Sequence, residues 1–207
     1  SSEFALCSSG VNQSPINIVT ASVIEADLPP LILNHHINKI NMVNNGHTIQ
    51  ANIKGNNTFT NDDGTFNLLQ FHFHSPSEHT IDSKSFPLEV HFVHADQDGR
   101  LAVIGVMFEA GESNPELTQM WADMPTANHS KSLLINALTK VKLLPKEKSY
   151  YRLNGSLTTP PCTEGVRWFI LKDTIEASQE QIDKFHNVIG TDTNRPTQPI
   201  NARVVLQ

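Results

Sequence analysis

The chain has 207 residues, which is enough for one sizeable hydrophobic core, and we expect a single domain over residues 1–207. Its 15 Lys and Arg residues against 21 Asp and Glu residues give a formal net charge of −6, without a long run of either sign. This balance argues against nucleic acid or an acidic membrane as a partner. No apolar stretch approaches the roughly 20 residues of a membrane span, and the first residues do not resemble a signal peptide.

Short alternating runs separated by Asn, Asp, Gly and Pro predict a mainly β fold with a few short helices. The best strand candidates are TIQANIK (48–54), NTFTN (57–61), TFNLLQFHFH (65–74), LEVHFVH (88–94) and RLAVIGVMFE (100–109). The turn sequences DDG at 62–64 and ADQDG at 95–99 predict that the strands on either side of each turn pair antiparallel.

Two helices are predicted in the second half of the chain. The first runs from about residue 114 to about residue 124. The second begins at Ser178, which fits a capping box with Gln181, and ends at Gly190. The segment TNRPTQPINARVV, residues 193–205, predicts a loop followed by a short terminal strand.

The segment QFHFHSPSEH, residues 70–79, holds three histidines and a glutamate. Such a cluster can be a metal site, a proton relay or a chance grouping. Successive side chains of a strand point to opposite faces, so Gln70, His72 and His74 share one face and the two intervening phenylalanines share the other. Two imidazoles two residues apart on a strand therefore converge above the sheet.

The strand that follows supplies a third imidazole. By the same parity Glu89, His91 and Val93 share a face. His94 points the other way and is interpreted as structural. If the two strands are neighbours, His91 completes a three-histidine zinc set with a fourth position open to water, which is the catalytic arrangement. Gln70 and Glu89 each lie two residues before a ligand, where they can accept its second ring N–H.

The two cysteines, Cys7 and Cys162, are too few and too far apart for a cysteine zinc site. From their count alone they are either two buried thiols or one disulfide. A disulfide would indicate an oxidising compartment.

Six motifs occur together and in order: QSPINI (13–18), NNGH (44–47), QFHFHSPSEH (70–79), LEVHFVH (88–94), GSLTTPPC (155–162) and NRPTQP (194–199). In this combination the chain resembles an α-class carbonic anhydrase of a bacterial or otherwise secreted type, from about residue 4 to its end. The resemblance implies a large, mostly antiparallel, twisted central sheet with zinc in a conical cleft. It also implies a zinc lyase that hydrates carbon dioxide reversibly to bicarbonate and a proton.

The resemblance assigns zinc to His72, His74 and His91, in agreement with the parity of the strands. Thr158 matches a threonine that accepts a hydrogen bond from zinc-bound hydroxide and donates its own to a glutamate, here Glu78. This arrangement orients the attacking hydroxide and disfavours ligands that have no proton to donate. The residues implied to contact carbon dioxide or bicarbonate are Val93, Val103, Leu157, Thr158, Thr159, Val166 and Trp168.

The resemblance also assigns a proton shuttle. His47 matches a histidine at the cleft mouth that relays the proton of the zinc-bound water to buffer, since an imidazole titrates near neutral pH. Asn45 and Gln50 match the polar side of the cleft that orders the connecting waters.

Further features follow from the resemblance. Cys7 and Cys162 match a disulfide of secreted members, which implies a periplasmic or extracellular location and ties the N-terminal segment to the loop of Thr158. A cis bond is implied at Pro160-Pro161.

The resemblance also leads us to expect sulfonamide and anion inhibitors, a side esterase activity and a possible homodimer. Family members carry an aromatic segment before the region that matches here, and this sequence lacks it, which puts proton transfer and stability in question.

Two other functions compete with the carbonic anhydrase assignment. A zinc hydrolase acting on esters would need a general base near the metal and a cleft for an acyl group. A binding module that kept the fold but lost activity would be expected to lack a zinc histidine, whereas all three are present together with Thr158 and Glu78.

Overall fold

The computed structural model describes residues 4–138 and 143–207. Its helices are α1 (Leu6–Ser9), α2 (Pro115–Ala122) and α3 (Gln179–Ile189), with a 3-10 turn at Thr20–Ser22. Its strands are β1 (Asn17–Ile18), β2 (Ile32–Asn34), β3 (Ile37–Asn44), β4 (Ile49–Ile53), β5 (Thr58–Asn61), β6 (Gly64–His74), β7 (Thr80–Ile81), β8 (Leu88–Ala95), β9 (Leu101–Ala110), β10 (Lys131–Leu138), β11 (Tyr150–Ser156), β12 (Glu164–Leu171) and β13 (Ile175–Ala177).

One large mixed sheet dominates the fold. Its main path runs β10-β3-β4-β6-β8-β9-β12-β11, and β2, β5 and β13 join it at the side. Most pairs are antiparallel, whereas β12 and β13 pair with β9 in parallel. The predicted fold class, a mainly β protein with a large central sheet and short helices, is confirmed.

The register of β6 against β8 places the histidines of the two strands side by side. His72 lies opposite His91, and Phe71 lies opposite Phe92. The phenylalanines on the far face are fully buried in the larger hydrophobic cluster, which also holds the aromatic residues of α2 and α3. Burial of apolar area at about 25 cal/mol per Å² makes this face the anchor of the two strands. The parity predicted from the sequence is therefore confirmed on both strands.

The predicted helices agree with the structure to within about two residues at each end. The side chain of Asn114 accepts hydrogen bonds from the backbone amides of Glu116 and Leu117, which caps α2. Ser178 and Gln181 form the expected capping box, and Gly190 ends α3 in the left-handed conformation with φ 81°.

The predicted terminal strand is wrong. Residues 193–205 form no strand, and only Leu206 makes isolated bridges, to Ile24 and Arg152. Two prolines in this segment remove backbone N–H donors, and Arg203 binds the carbonyls of Ile200 and Pro199. Ladder-like backbone pairing occurs at the end of the chain instead, where Leu206 exchanges two hydrogen bonds with Arg152 and the Val205 carbonyl accepts from the Ile24 amide.

None of the helices in the described residues is long and apolar enough to cross a membrane.

Candidate active site

Three imidazoles meet on the face of the sheet opposite the phenylalanines. His72 and His74 lie on β6, and His91 lies on β8. One ring nitrogen from each histidine lies within 4.8 Å of those of the other two. The ring centroids are 5.0 Å apart for His72 and His74, 5.3 Å for His72 and His91, and 4.7 Å for His74 and His91.

The other nitrogen of each ring is used in a hydrogen bond. His72 Nδ1 donates to Gln70 Oε1 at 2.8 Å, and His91 Nε2 donates to Glu89 Oε1 at 2.7 Å. Both partners are the residues predicted from the sequence. His74 Nδ1 donates to the carbonyl oxygen of Thr193 at 2.9 Å. Each bond fixes the tautomer, so the lone pair of the remaining nitrogen is available as a ligand.

The three histidines have different electrostatic surroundings. Burial, followed by the charge of its two histidine neighbours, holds the pKa of His72 well below its usual value. Burial also lowers the pKa of His74, against the opposing charge of Glu78. Burial opposes the charged form of His91, but Glu89 outweighs it and raises the pKa of His91. Neutral His72 and His74 are in the protonation state that metal binding requires.

The site has the donor set of a zinc centre. His74 Nε2 and Glu78 Oε2 are buried 3.4 Å apart, and within the described residues neither atom has a hydrogen-bond partner. An unpaired buried nitrogen is costly unless another group uses its lone pair. Three converging imidazole lone pairs fit Zn²⁺, and a three-histidine set leaves a fourth position for a small ligand.

A cavity of about 240 Å³ is lined in part by Glu78 and Thr193, both of which contact His74. It brings together four residues predicted from the sequence, and its lining is formed by His47, Glu78, Thr158, Thr159, Pro160, Thr191, Asp192, Thr193, Asn194 and Arg195. Glu78 Oε1 accepts a hydrogen bond from the backbone amide of Arg195 at 2.9 Å. No hydrogen bond joins Thr158 to Glu78 in the described part of the chain, so that bond stays a prediction.

An apolar wall lies beside the histidines. Val93, Val103, Val166 and Trp168 are buried in one hydrophobic cluster, and Leu157 packs against it half-buried. The Trp168 ring contacts the His91 ring with centroids 4.9 Å apart. The five apolar residues assigned to substrate binding are therefore in one place, although their contact with substrate stays a prediction.

His47 lies at the cavity, and its side chain is exposed. Asn45 Oδ1 accepts hydrogen bonds from the backbone amides of His47 and Thr48, so Asn45 shapes the turn that presents His47. Gln50 lies opposite His72 in the sheet and donates to Asn52 Oδ1 at 2.7 Å. The roles of Asn45 and Gln50 in a water network stay predictions.

The disulfide between Cys7 and Cys162 is present, with a Cα–Cα distance of 5.1 Å, and the Pro160-Pro161 bond is cis. Two hydrogen bonds nearby also join the N-terminal segment to the loop that carries Thr158. Ser156 Oγ accepts from the Ser14 amide at 2.9 Å, and the Ser156 amide donates to Ser14 Oγ at 3.2 Å. The N-terminal segment is thus tied to both ends of the loop that carries Thr158.

Three residues of the site were not predicted from the sequence. Thr193 and Arg195 bind His74 and Glu78 through backbone atoms, which no side-chain pattern reveals. His79 is fully buried, and its Nδ1 donates to Glu89 Oε1 at 3.0 Å. The resemblance matches His79 to a buried position beside Glu78 but assigns it no part in the site.

Three converging imidazoles on a large β sheet are the arrangement expected of a metalloenzyme that holds its metal by histidine ligands. The family model of eukaryotic-type carbonic anhydrases matches residues 1–207. The carbonic anhydrase of Pectobacterium carotovorum is 46% identical over 206 residues, covering 100% of this chain and 84% of the relative. That of Neisseria gonorrhoeae is 47% identical over 209 residues, covering 100% and 81%.

A solved structure, the complex of the α-carbonic anhydrase from Thermovibrio ammonificans with the inhibitor sulfanilamide, is also similar. It superposes with a TM-score of 0.97 at 47% identity, covering 100% of this chain and 92% of that one. The chain belongs to the α-class, eukaryotic-type carbonic anhydrase family. The predicted family and enzyme class are confirmed, and the reaction of the family is the hydration of carbon dioxide.

Proposed function

We propose that this chain catalyses zinc-dependent, reversible hydration of carbon dioxide to bicarbonate and a proton, with zinc held by His72, His74 and His91. The observation that carries the proposal is the convergence of three imidazole nitrogens, from half-buried His72 and buried His74 and His91, each with its second nitrogen bonded elsewhere. When bound there, zinc supplies hydroxide at neutral pH by lowering the pKa of water.

The residues around the histidines orient and protect the reacting groups. Glu78 is held by the Arg195 amide at one oxygen, and its second oxygen is free of hydrogen bonds in the described chain. That second oxygen is available to accept a hydrogen bond from the Thr158 hydroxyl. The Thr158 oxygen then accepts a hydrogen bond from the nucleophile, which aims the attacking lone pair at the substrate.

The apolar wall suits carbon dioxide, which has no net charge. Val93, Val103, Val166 and Trp168 are buried together beside His91, and Leu157 is half-buried at the edge. Such a surface keeps water from competing for the place of the substrate. Thr159, exposed at the rim of the cavity, is placed to hold bicarbonate. Exposed His47 passes the released proton to buffer.

We further propose a periplasmic or secreted location, because the disulfide of Cys7 and Cys162 requires oxidising conditions. Sulfonamides are expected to inhibit the enzyme, because sulfanilamide is the inhibitor in the complex formed by the Thermovibrio relative. The side esterase activity and the homodimer stay predictions.

Stopped-flow hydration of carbon dioxide, with zinc quantified in the same sample, tests the proposal. The parent protein is expected to hold one zinc per chain and to hydrate carbon dioxide with sensitivity to sulfanilamide. His72→Ala is expected to lose both zinc and activity. His36→Ala is the matched control, since His36 is exposed and its ring makes no hydrogen bond within the described chain. Zinc without hydration in the parent would favour a binding module.

A further inference from the structure

The side chain of Arg195 binds the N-terminal segment, defined here as residues 7–14. Its Nη1 donates to Gln13 Oε1 at 2.9 Å and to the Ser14 carbonyl at 2.7 Å. Its Nη2 donates to the Cys7 carbonyl at 2.8 Å. One guanidinium therefore holds both ends of this segment, and one of its acceptors belongs to a disulfide cysteine.

The backbone of the same residue holds Glu78. The Arg195 amide donates to Glu78 Oε1 at 2.9 Å, across 117 residues of sequence. This is the single hydrogen bond to the Glu78 carboxylate among the described residues, and Glu78 is only 2% exposed. Whatever displaces the Arg195 backbone must therefore move or release this carboxylate.

The N-terminal segment also binds the loop that carries Thr158. Gln13 Nε2 donates to the Cys162 carbonyl at 3.0 Å, and Ser14 and Ser156 exchange two hydrogen bonds. Cys162 and Ser156 flank the loop that carries Thr158. The loop of Thr158 and the backbone that holds Glu78 are thus positioned by one segment, the first directly and the second through Arg195.

We propose that Arg195 is a positioning residue, whose guanidinium couples the disulfide-tethered segment 7–14 to the carboxylate of Glu78. The inference deepens the proposed function and rests on it, because it concerns the alignment of Glu78 with Thr158. A guanidinium suits this task, since it holds its donors in a fixed planar arrangement, whereas the three donors of an ammonium group sit on one atom and rotate. Loss of the guanidinium leaves the Arg195 amide free to shift, and Glu78 shifts with it.

The test compares Arg195→Met with Arg203→Met in the zinc-loaded enzyme. Arg203 is a matched control, because its guanidinium also donates to three acceptors, the carbonyls of Ile200, Pro199 and Asn154, but its backbone does not bind Glu78. Arg195→Met is expected to lower kcat/KM for carbon dioxide roughly tenfold to a hundredfold, as small misalignments do. Arg203→Met is expected to change it less than about twofold.

A second readout separates positioning from a general loss of stability. Thiocyanate has no proton to donate, whereas the nitrogen of sulfanilamide has one, so the ratio of their inhibition constants reports whether Thr158 is still aligned by Glu78. Arg195→Met is expected to bind thiocyanate more tightly relative to sulfanilamide, and Arg203→Met to keep the ratio of the parent. Arg195→Lys keeps the charge but not the planar group, so its kcat/KM and its inhibitor ratio should lie between those of the parent and of Arg195→Met. If Arg195→Met does not fold, Arg195→Lys replaces it in the test.

An unchanged inhibitor ratio and an unchanged kcat/KM in both Arg195 variants would overturn the inference while leaving the proposed function intact. The proposed function and the role of Glu78 are checked separately, with the parent and Glu78→Gln. If the parent does not hydrate carbon dioxide, the proposed function fails and the inference fails with it. If the parent is active but Glu78→Gln is equally active, the proposed function stands and the inference alone fails.

Discussion

His35 and His94 face each other behind the active-site sheet, with their Nε2 atoms 3.2 Å apart and their rings stacked. His94 Nδ1 donates to the Phe92 carbonyl, so His94 Nε2 must accept the proton of His35 Nε2. His35 Nδ1 is buried and has no hydrogen-bond partner within the described residues. The pair is thus stable only when both imidazoles are neutral. The interpretation of His94 as structural agrees with this position.

This pair predicts a loss of stability in acid. Burial, with the charge of His36, lowers the pKa of His35 to about 4, and burial, with the charge of His35, lowers that of His94 to about 3. Both values lie below 6.5 in the unfolded chain, which therefore binds protons first as the pH falls. The stabilisation is complete above pH 6.5 and is lost as the pH falls from 6.5 through the folded values. For His35 alone the loss is on the order of 3 kcal/mol.

Urea denaturation at pH 7 and pH 4, in chelator so that metal loss does not contribute, checks this prediction. His35→Gln keeps an N–H donor for His94 without a titratable ring, so it should lose less stability between the two pH values than the parent. Exposed His129→Gln serves as the control and should follow the parent, because His129 does not contribute to the lowered pKa of His35 or His94. Equal acid sensitivity of the parent and His35→Gln would show that the pair does not cause it.

The partners of the ligand histidines should control zinc affinity. Gln70 accepts the Nδ1 proton of His72, so Gln70→Ala is expected to weaken zinc binding roughly 10- to 100-fold, as loss of such partners does. Competition with a chelator measures the affinity. Gln50→Ala is the control, because Gln50 lies opposite His72 but binds Asn52 instead of a ligand. Similar affinities for the two variants would contradict the role of Gln70.

Strand parity explains how much of this site the sequence could reveal. The ligand faces of β6 and β8 follow from alternation alone, and so do Gln70 and Glu89, each two residues before a ligand. The contacts of Thr193 and Arg195 could not be predicted in this way, since they use backbone atoms and span 119 and 117 residues. Local alternation carries no information about such long-range approaches.

The same limit applies to the fold. Turn sequences predicted the pairing of β5 with β6 and of β8 with β9, because each pair is joined by a short hairpin. The parallel pairing of β12 with β9 joins strands separated by more than 50 residues, and no local pattern indicates it. The predicted terminal strand was misplaced, because prolines within residues 193–205 remove backbone donors and the pairing with Arg152 and Ile24 involves only residues 205–207.

The disulfide is expected to stabilise both the fold and the site. Cys7→Ser with Cys162→Ser should lower the free energy of unfolding by about 2–5 kcal/mol, the range seen on removing native disulfides. Because the loop of Thr158 is tied to the same segment, kcat/KM should also fall at temperatures where the variant stays folded. Denaturation and hydration assays on the same preparation check both effects. Full activity in a destabilised variant would confine the disulfide to a role in stability.

The role of His47 can be tested without disturbing the fold, because its side chain is exposed and its ring makes no hydrogen bond in the described chain. His47→Ala should therefore fold like the parent but turn over roughly tenfold or more slowly, in the range of a lost acid–base group. Small imidazole buffers can reach the cavity and accept the proton instead, so rising imidazole concentration should restore turnover. The steady-state kcat at saturating carbon dioxide measures this rescue. The control His36→Ala should show neither the loss of turnover nor the rescue. If imidazole does not restore the turnover of His47→Ala, His47 has a role other than proton transfer.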